Sequence, residues 1–190
     1  MTKRAIDLIA SILGGLLLLP VGLITALLIR LESKGPAIYR QRRTGINGSE
    51  FTLLKFRSMR ADAEAGGAQF TEENDPRITR LGRFMRKTRI DELPQLMNIL
   101  KGEMSLIGPR PERPELEHEL EMSIPQYRKR HWMRPGLSGW AQVCAPYASS
   151  IDDSDLKLSY DLYYLRHFST WLDLVILFRT IKTVLKAGGR

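Results

Sequence analysis

The chain has 190 residues and a formal net charge of +8, from 29 Lys or Arg and 21 Asp or Glu residues. This length suits one domain of ordinary size. The positive charge favours anionic partners, of which lipid headgroups and phosphorylated substrates are expected here. Nucleic acid is not expected as a partner, because no recognised binding motif or array of stacking aromatic residues is present. The single cysteine, Cys144, excludes an intrachain disulfide, and the three histidines lack the paired spacing of a zinc site.

The first strong structural signal is an uncharged apolar stretch from Leu8 to Ile29. As a helix it is roughly 33 Å long, about the thickness of the hydrocarbon core of a bilayer. Pro20 lies near its centre and removes one backbone hydrogen bond, so the sequence predicts a break there. Both flanks are basic, and they contain Lys3, Arg4, Arg30, Lys34, Arg40, Arg42 and Arg43. Positive charge marks the cytoplasmic side of a span, so a re-entrant helix with both ends on one face is favoured. A straight transmembrane span stays open, as do a buried core helix and a signal peptide.

Two short strands are predicted next, over residues 37–41 and 51–56, joined through residues 45–48. Residues 61–76 are predicted to form a solvated connecting loop, with a lid as the alternative. A basic, partly helical segment follows over residues 77–87. A second helix is predicted from Asp91 to Lys101, with Gly102 as its stop and Pro94 tolerated in its first turn.

The C-terminal half is predicted to be mainly helical. Two prolines make residues 108–111 a rigid loop, and residues 134–140 form a second rigid turn. Helix is predicted over residues 112–130, with an interruption near Pro125, and again from Asp155 onwards. The last helix carries apolar residues at i, i+3 and i+4 spacing beside three cations: Trp171, Leu174, Val175, Phe178, Ile181 and Leu185, with Arg179, Lys182 and Lys186. This pattern suits a helix in a membrane interface, and equally one that faces the core or a second protomer.

Asp91 and Glu92 are the strongest candidates for chemistry. They follow a basic segment and stand at a predicted helix start, where backbone N–H groups and the helix dipole favour anions. A carboxylate can attack phosphorus as a nucleophile, and a neighbouring carboxylate can hold Mg²⁺. The structural alternative is that Asp91 only caps the helix.

Several cations are predicted to bind phosphate near this acidic pair. Arg110 stands between two prolines, which orient its planar guanidinium for bidentate phosphate binding. Arg86, five residues before Asp91, is a second candidate, and Lys55 or Arg57 on the strand element a third. Each of them alone would be read as a solvated surface charge. Together with an acidic pair and a membrane segment, they indicate phosphoryl chemistry on a membrane-embedded acceptor.

Four segments in order carry a resemblance to a known family. They are Lys55-Phe56-Arg57-Ser58-Met59, Asp91-Glu92-Leu93-Pro94-Gln95, Gly108-Pro109-Arg110-Pro111 and Arg134-Pro135-Gly136-Leu137-Ser138-Gly139. This motif set resembles that of the bacterial sugar transferases, the monotopic phosphoglycosyl transferases that act on polyprenyl phosphate. The similarity extends from Lys3 to about Lys186, and it is to the catalytic domain of the longer relatives.

The resemblance implies a specific reaction. Such enzymes transfer a sugar-1-phosphate from a UDP-sugar to polyprenyl phosphate, here expected to be undecaprenyl phosphate, and release UMP. By this analogy Asp91 is the nucleophile of a covalent phosphosugar–aspartyl intermediate, and Glu92 is the principal Mg²⁺ ligand with Asp91 close to the metal. Arg86 and Arg110 match positions that hold substrate phosphates. The family's re-entrant helix breaks at a Ser-Pro pair, whereas Leu19 precedes Pro20 here and supplies no hydroxyl.

We therefore expect a mostly helical α+β monotopic membrane protein with a small β element and interfacial amphipathic helices. Residues 1–34 form the re-entrant membrane helix and its flanks, and residues 35–190 form a catalytic domain packed on the membrane interface, both in one structural unit. The expected location is the cytoplasmic face of a bacterial inner membrane, and a homodimer is a possible assembly. The alternatives are a glycosyltransferase that moves only the sugar and a non-catalytic basic membrane scaffold. Residues 73–79 favour simple hexoses such as glucose or galactose, with an N-acetylated amino sugar as the alternative.

Overall fold

The computed structural model describes residues 2–60, 62–63, 75–145 and 151–185. The helices and strands follow in this order: α1 (Thr2–Glu32), β1 (Ile38–Thr44), β2 (Glu50–Phe56), α2 (Arg80–Thr88), α3 (Gln95–Lys101), β3 (Ser105–Ile107), α4 (Pro114–Ser123), β4 (Gly136–Ser138), α5 (Trp140–Cys144), α6 (Ile151–His167) and α7 (Thr170–Leu185). Short 3₁₀ turns lie at Ile46–Gly48, Ile90–Glu92 and Tyr127–Trp132. The mostly helical α+β prediction is confirmed. Three predictions fall wholly or partly outside the described residues. They concern most of the loop 61–76, residues 73 and 74 of the segment used for the sugar preference, and Lys186 of the predicted last helix.

Helix α1 is long and apolar enough to cross a membrane, by length and composition. It continues through Pro20, so the predicted interruption does not divide it into two helices. A proline removes one intrahelical hydrogen bond, and the bonds on either side of it are sufficient to keep the helix continuous. Its middle third is exposed; Leu17, for example, is 78% exposed.

Both ends of α1 are bound by the rest of the fold. Near the N-terminus, Asp7 is buried and accepts hydrogen bonds from the Ser105 hydroxyl at 2.8 Å and from the Leu106 N–H at 3.0 Å. Near the C-terminus, Ile29 is buried in one cluster with Phe56 and Met85. The N-terminal and C-terminal parts of α1 therefore contact the same body, while the apolar middle has little protein around it.

Strands β1 and β2 form the predicted antiparallel hairpin, which pairs Ile38 with Phe56 and Thr44 with Glu50. β1 extends three residues beyond the predicted end. The strands have a core face on which Leu53 packs with Ile99 and Met104, so the hairpin lies against α3. This contact brings Lys55, two residues along β2, towards the segment before α3.

The two predicted rigid loops cross each other closely, which the sequence did not predict. β3 and β4 are a short parallel pair that joins Ser105 to Gly136 and Ile107 to Ser138. A Cβ atom on Gly136 would lie 2.1 Å from the Gly108 nitrogen, and one on Gly139 would lie 2.2 Å from the Gly108 carbonyl oxygen. These contacts are with backbone, which cannot move aside, so the glycines are needed for the close approach of the two loops.

The structure excludes one of the three roles left open for the apolar stripe of α7, namely packing against the core. Ile176 is fully buried and Leu172 packs against the same cluster, so this face meets the core. Trp171, Leu174, Phe178 and Ile181 are exposed, and Trp171 and Phe178 are 74% and 72% exposed. The predicted stripe therefore faces away from the core.

Candidate active site

The acidic pair lies in a tight turn between two helices. α2 ends at Thr88, its C-cap residue Arg89 adopts a left-handed conformation with φ 60°, and a 3₁₀ turn over Ile90–Glu92 leads into α3. The helical segment thus begins close to Asp91 as predicted, but its first turn is 3₁₀ and α3 proper begins at Gln95. Gly102, with φ 86°, ends α3 as predicted.

Asp91 is 7% exposed, and among the described residues its Oδ1 atom is buried without a hydrogen-bond partner. A carboxylate that caps a helix stands at the N-cap position, but the N-cap residues here are Arg89 for the 3₁₀ turn and Pro94 for α3, and neither forms a side-chain cap. The capping alternative is therefore not supported. Burying a carboxylate oxygen without a hydrogen bond is unfavourable, so a purely structural role does not explain why Asp91 is here.

Glu92 is surrounded by cations from three parts of the chain. Its Oε1 atom accepts a hydrogen bond from Nη2 of Arg110 at 2.8 Å, and it lies 3.5 Å from both Lys55 Nζ and Arg89 Nη1. Burial by itself would raise the pKa of Glu92, but Arg110, Lys55 and Arg89 outweigh burial and hold that pKa well below its ordinary value. Glu92 is thus ionised under all physiological conditions.

The pKa values of Asp91 and Lys55 are both shifted from their ordinary values. Burial raises the pKa of Asp91, the charge of Glu92 adds to the rise, and Lys55, Arg86 and Arg110 oppose it. Burial and the neighbouring Arg110 lower the pKa of Lys55 to about 8, although Glu92 opposes the shift. Burial and charge therefore bring both groups towards neutral pH, as is common for residues that take part in reactions.

The loop that carries Arg110 is held through four consecutive carbonyl groups. The Pro109 carbonyl accepts from Gly136 N at 2.8 Å, and the Arg110 carbonyl accepts from Arg130 Nη2 at 2.7 Å. The Pro111 carbonyl accepts from Arg43 Nη1 at 3.0 Å, and the Glu112 carbonyl accepts from Thr44 N at 3.1 Å. The donors come from β1, from β4 and from the 3₁₀ turn before it. The guanidinium of Arg110 therefore meets Glu92 from a loop with little freedom to move.

The structure brings some predicted site residues together and places others apart. Lys55, Glu92 and Arg110 meet, and Asp91 adjoins them. Arg86 donates from Nε to the Ser58 hydroxyl at 2.9 Å, with its charge still close enough to act on Asp91. Arg57 instead donates to the carbonyls of Ser33 and Lys34, both at 2.8 Å, so it holds the connection between α1 and β1.

Arg89 is a site residue that the sequence analysis missed. It stands three residues before Glu92, and i, i+3 pairs of opposite charge face each other in a helical segment. That spacing could have identified it.

A divalent cation would suit the acidic pair. Asp91 Oδ1 has no hydrogen-bond partner in the part of the chain that the structure describes, and Glu92 is ionised, so both carboxylates present hard oxygen ligands. The described residues contain no group of three or more His, Cys, Asp or Glu that could hold a metal. This argues against an all-protein metal cage, but Mg²⁺ commonly uses one or two carboxylates together with water and substrate phosphate.

The fold and the site define an α+β protein with one long apolar helix and a buried acidic pair beside several cations. Residues 1–187 match the family model described as bacterial sugar transferase, and the chain belongs to this family.

Three relatives illustrate the range of the family. The UDP-N-acetylgalactosamine-undecaprenyl-phosphate N-acetylgalactosaminephosphotransferase of Aeromonas hydrophila is 49% identical over 187 residues, covering 98% of this chain and 44% of the relative. The UDP-glucose:undecaprenyl-phosphate glucose-1-phosphate transferase of Caulobacter vibrioides is 40% identical over 185 residues, which cover 96% of this chain and 69% of the relative. The exopolysaccharide production protein PSS of Rhizobium leguminosarum is 41% identical over 192 residues, which cover 98% of this chain and 96% of the relative. The chain thus spans less than half of the first relative and nearly all of the third.

Proposed function

We propose that this chain transfers a sugar-1-phosphate from a UDP-sugar to a polyprenyl phosphate of the undecaprenyl type, with release of UMP, and so initiates assembly of an exopolysaccharide or other glycoconjugate. The observation that carries the proposal is the buried Oδ1 atom of Asp91, which has no partner within the described ranges, beside an ionised Glu92 and the cations Lys55, Arg89 and Arg110. The names of the relatives contain the same substrate classes, which supports the proposal. They include both glucose and N-acetylgalactosamine, so they do not select a sugar.

The reaction consists of two displacements at one phosphorus atom. In the first, an Asp91 oxygen attacks the phosphorus that bears the sugar, the bond from that phosphorus to the bridging oxygen breaks, and UMP leaves with this oxygen. In the second, an oxygen of polyprenyl phosphate attacks the same phosphorus and releases Asp91. Arg110 and Lys55 neutralise the phosphate charge at both stages, and the rigid Arg110 loop keeps that charge in position.

Mg²⁺ fits this scheme through Glu92 and Asp91, which would hold it. When bound, the ion neutralises charge on the diphosphate oxygens. The protein's own contribution is to keep Glu92 ionised through its three cations, so that the ligand charge does not depend on pH near neutrality.

Helices α1 and α7 support the proposed attachment to the membrane. A straight helix would hold Asp7 and Ile29 roughly 33 Å apart. If α1 crossed a bilayer, one of these two contacts with the domain would lie on the far side. A re-entrant path, with Pro20 in the apolar middle, leaves both contacts on the cytoplasmic face. The exposed apolar stripe of α7 then lies in the membrane interface. The alternative is that a second protomer packs against this stripe.

Trapping the intermediate tests the chemistry directly. Protein incubated with Mg²⁺ and a UDP-sugar that is radiolabelled in the sugar is expected to retain label on Asp91 when the lipid acceptor is withheld, and to lose it when polyprenyl phosphate is added. Normal turnover without any labelled protein would contradict the covalent mechanism. Identifying the nucleotide product separates the glycosyltransferase alternative, which releases UDP rather than UMP.

The formation of this adduct is expected to depend on the charge of Lys55. Because the pKa of Lys55 is lowered to about 8, its positive charge is present below this pH and lost above it. The second-order rate of labelling, which reports on the free enzyme, should therefore fall as the pH rises past about 8. A Lys55→Arg variant keeps its charge and should move this fall above pH ~10. The same alkaline limb in both proteins would show that another group titrates.

Labelling of single cysteines is expected to place both ends of α1 on one side of the membrane. In a Cys144→Ser background, Thr2→Cys and Lys34→Cys should react with an impermeant maleimide only when the cytoplasmic face is accessible. Leu17→Cys, in the exposed apolar middle, should stay unlabelled in membranes and react after solubilisation. Reaction of residues 2 and 34 from opposite sides would mean a true span.

A further inference from the structure

We propose that a cleft outside the carboxylate site binds the phosphate group of an anionic membrane lipid. The cleft has a volume of about 740 Å³ and lies between the C-terminal part of α1 and the first residues of β1. Arg30, Arg40 and Arg57 contribute to its lining, and no carboxylate does.

The charge of these arginines is not neutralised by the described part of the protein. Arg57 is 6% exposed and donates only to carbonyl and hydroxyl oxygens of Ser33 and Lys34, and its Nε atom has no acceptor. Arg30 and Arg40 are exposed and have no ion pair in the described ranges. A buried guanidinium without a counter-charge is costly, so an anion in this cleft would stabilise the fold.

The apolar part of the lining indicates that the anion carries a lipid chain. Ala26 and Leu27 of α1 form one wall of the cleft, and Ile38 contributes to the other. Leu27 is 58% exposed and Leu23, one turn earlier, is 64% exposed, so the wall continues directly into the exposed apolar middle of α1. A phosphate beside the arginines would therefore have its acyl or polyprenyl chain along α1. Lysine and arginine residues next to a membrane helix bind anionic lipids in this way.

The cleft is also one strand away from the catalytic carboxylates. Tyr39 lines it and pairs across the hairpin with Lys55, whose Nζ lies 3.5 Å from Glu92. Two lipids share the required chemistry: a bulk anionic phospholipid and, if the proposed function holds, the polyprenyl phosphate acceptor on its way to Asp91.

Binding can be measured without turnover. The full chain, as wild type and as Asp91→Asn, is titrated in detergent micelles with dioctanoyl phosphatidic acid, and bound lipid is counted by native mass spectrometry. One lipid per chain is expected, and dioctanoyl phosphatidylcholine should bind far less. The double variant Arg30→Ala/Arg40→Ala should bind phosphatidic acid about 30-fold more weakly. The matched control, Arg42→Ala/Arg83→Ala, removes the same charge from exposed positions outside the cleft and should bind as wild type does.

A short-chain polyprenyl phosphate then distinguishes the two sources. A raised KM for this acceptor in Arg30→Ala/Arg40→Ala, with the control unchanged, identifies the cleft as an acceptor site. Weaker phosphatidic acid binding with an unchanged acceptor KM identifies bulk phospholipid. Equal binding of phosphatidic acid by both double variants, or equal binding of the two phospholipids by the wild type, would overturn the proposal. Because binding is read on Asp91→Asn as well, this result is independent of the proposed reaction.

Discussion

Replacement of Asp91 by asparagine is expected to reduce sugar-phosphate transfer by about 10⁵-fold, because the neutral amide is a poor nucleophile towards phosphorus. The side chain keeps its size, and Asp91 Oδ1 has no hydrogen bond among the described residues to lose. Thermal stability should therefore stay at or above that of the wild type, since a buried charge is removed. Release of UMP and formation of labelled polyprenyl product measure the activity.

The matched control for this variant is Asp155→Asn, which makes the same chemical change at an exposed position of α6. It should transfer at the wild-type rate. Binding of both variants to anionic vesicles should be unchanged, which separates catalysis from membrane attachment. Near-normal transfer by Asp91→Asn would remove the nucleophile assignment, and with it the mechanism, and would favour the non-catalytic scaffold.

Replacement of Asp161 by alanine is expected to lower the free energy of unfolding by about 3–5 kcal/mol, because it leaves the charge of Arg130 buried without its partner. The side chains of Arg130 and Asp161 are 3% and 2% exposed and lie 2.9 Å apart. Burial raises the pKa of Asp161 and Arg130 opposes the rise, so unfolding by urea should be compared on the alkaline side of neutrality, where more of the carboxylate is ionised.

The double variant Arg130→Met/Asp161→Leu separates stability from catalysis. An apolar pair of similar size removes both charges, so most of the lost stability should return. The carbonyl of Arg110 then still lacks its donor Arg130, and Arg110 is less firmly held against Glu92. We expect kcat to remain about 10- to 100-fold below wild type. Full recovery of kcat together with stability would mean that Arg130 has no positioning role.

Local sequence patterns predicted part of the secondary structure, whereas the helix predicted over residues 112–130 is α4 followed by the 3₁₀ turn Tyr127–Trp132. The two short strand segments and the turn residues around Gly45 predicted the hairpin, although β1 extends to Thr44, and Gly102 correctly marked the end of α3. Pro20 was predicted to interrupt α1, but the helix continues through it. The reason is that neighbouring hydrogen bonds of a long helix persist on both sides of one missing donor. The membrane topology of α1 stays a prediction.

The members of the site could be anticipated in part. Asp91, Glu92, Lys55 and Arg110 stand in recognisable motifs, and the structure gathers them. Arg57 stands in the same motif as Lys55, but it lies just beyond β2 and binds the carbonyls after α1. Its distance from Glu92 could not be inferred, because the direction of a side chain after a strand end depends on what packs there.

The sequence alone therefore determined that the chain is basic and mostly helical, that it has an apolar N-terminal helix, and that an acidic pair follows a basic segment. These properties follow from composition, periodicity and neighbours along the chain. Only the tertiary structure decided which cations meet Glu92, and that Asp91 Oδ1 is buried without a partner among the described residues. It also showed that the two rigid loops cross. Those properties depend on contacts between segments far apart in sequence, and on desolvation, which arises only when the segments pack together.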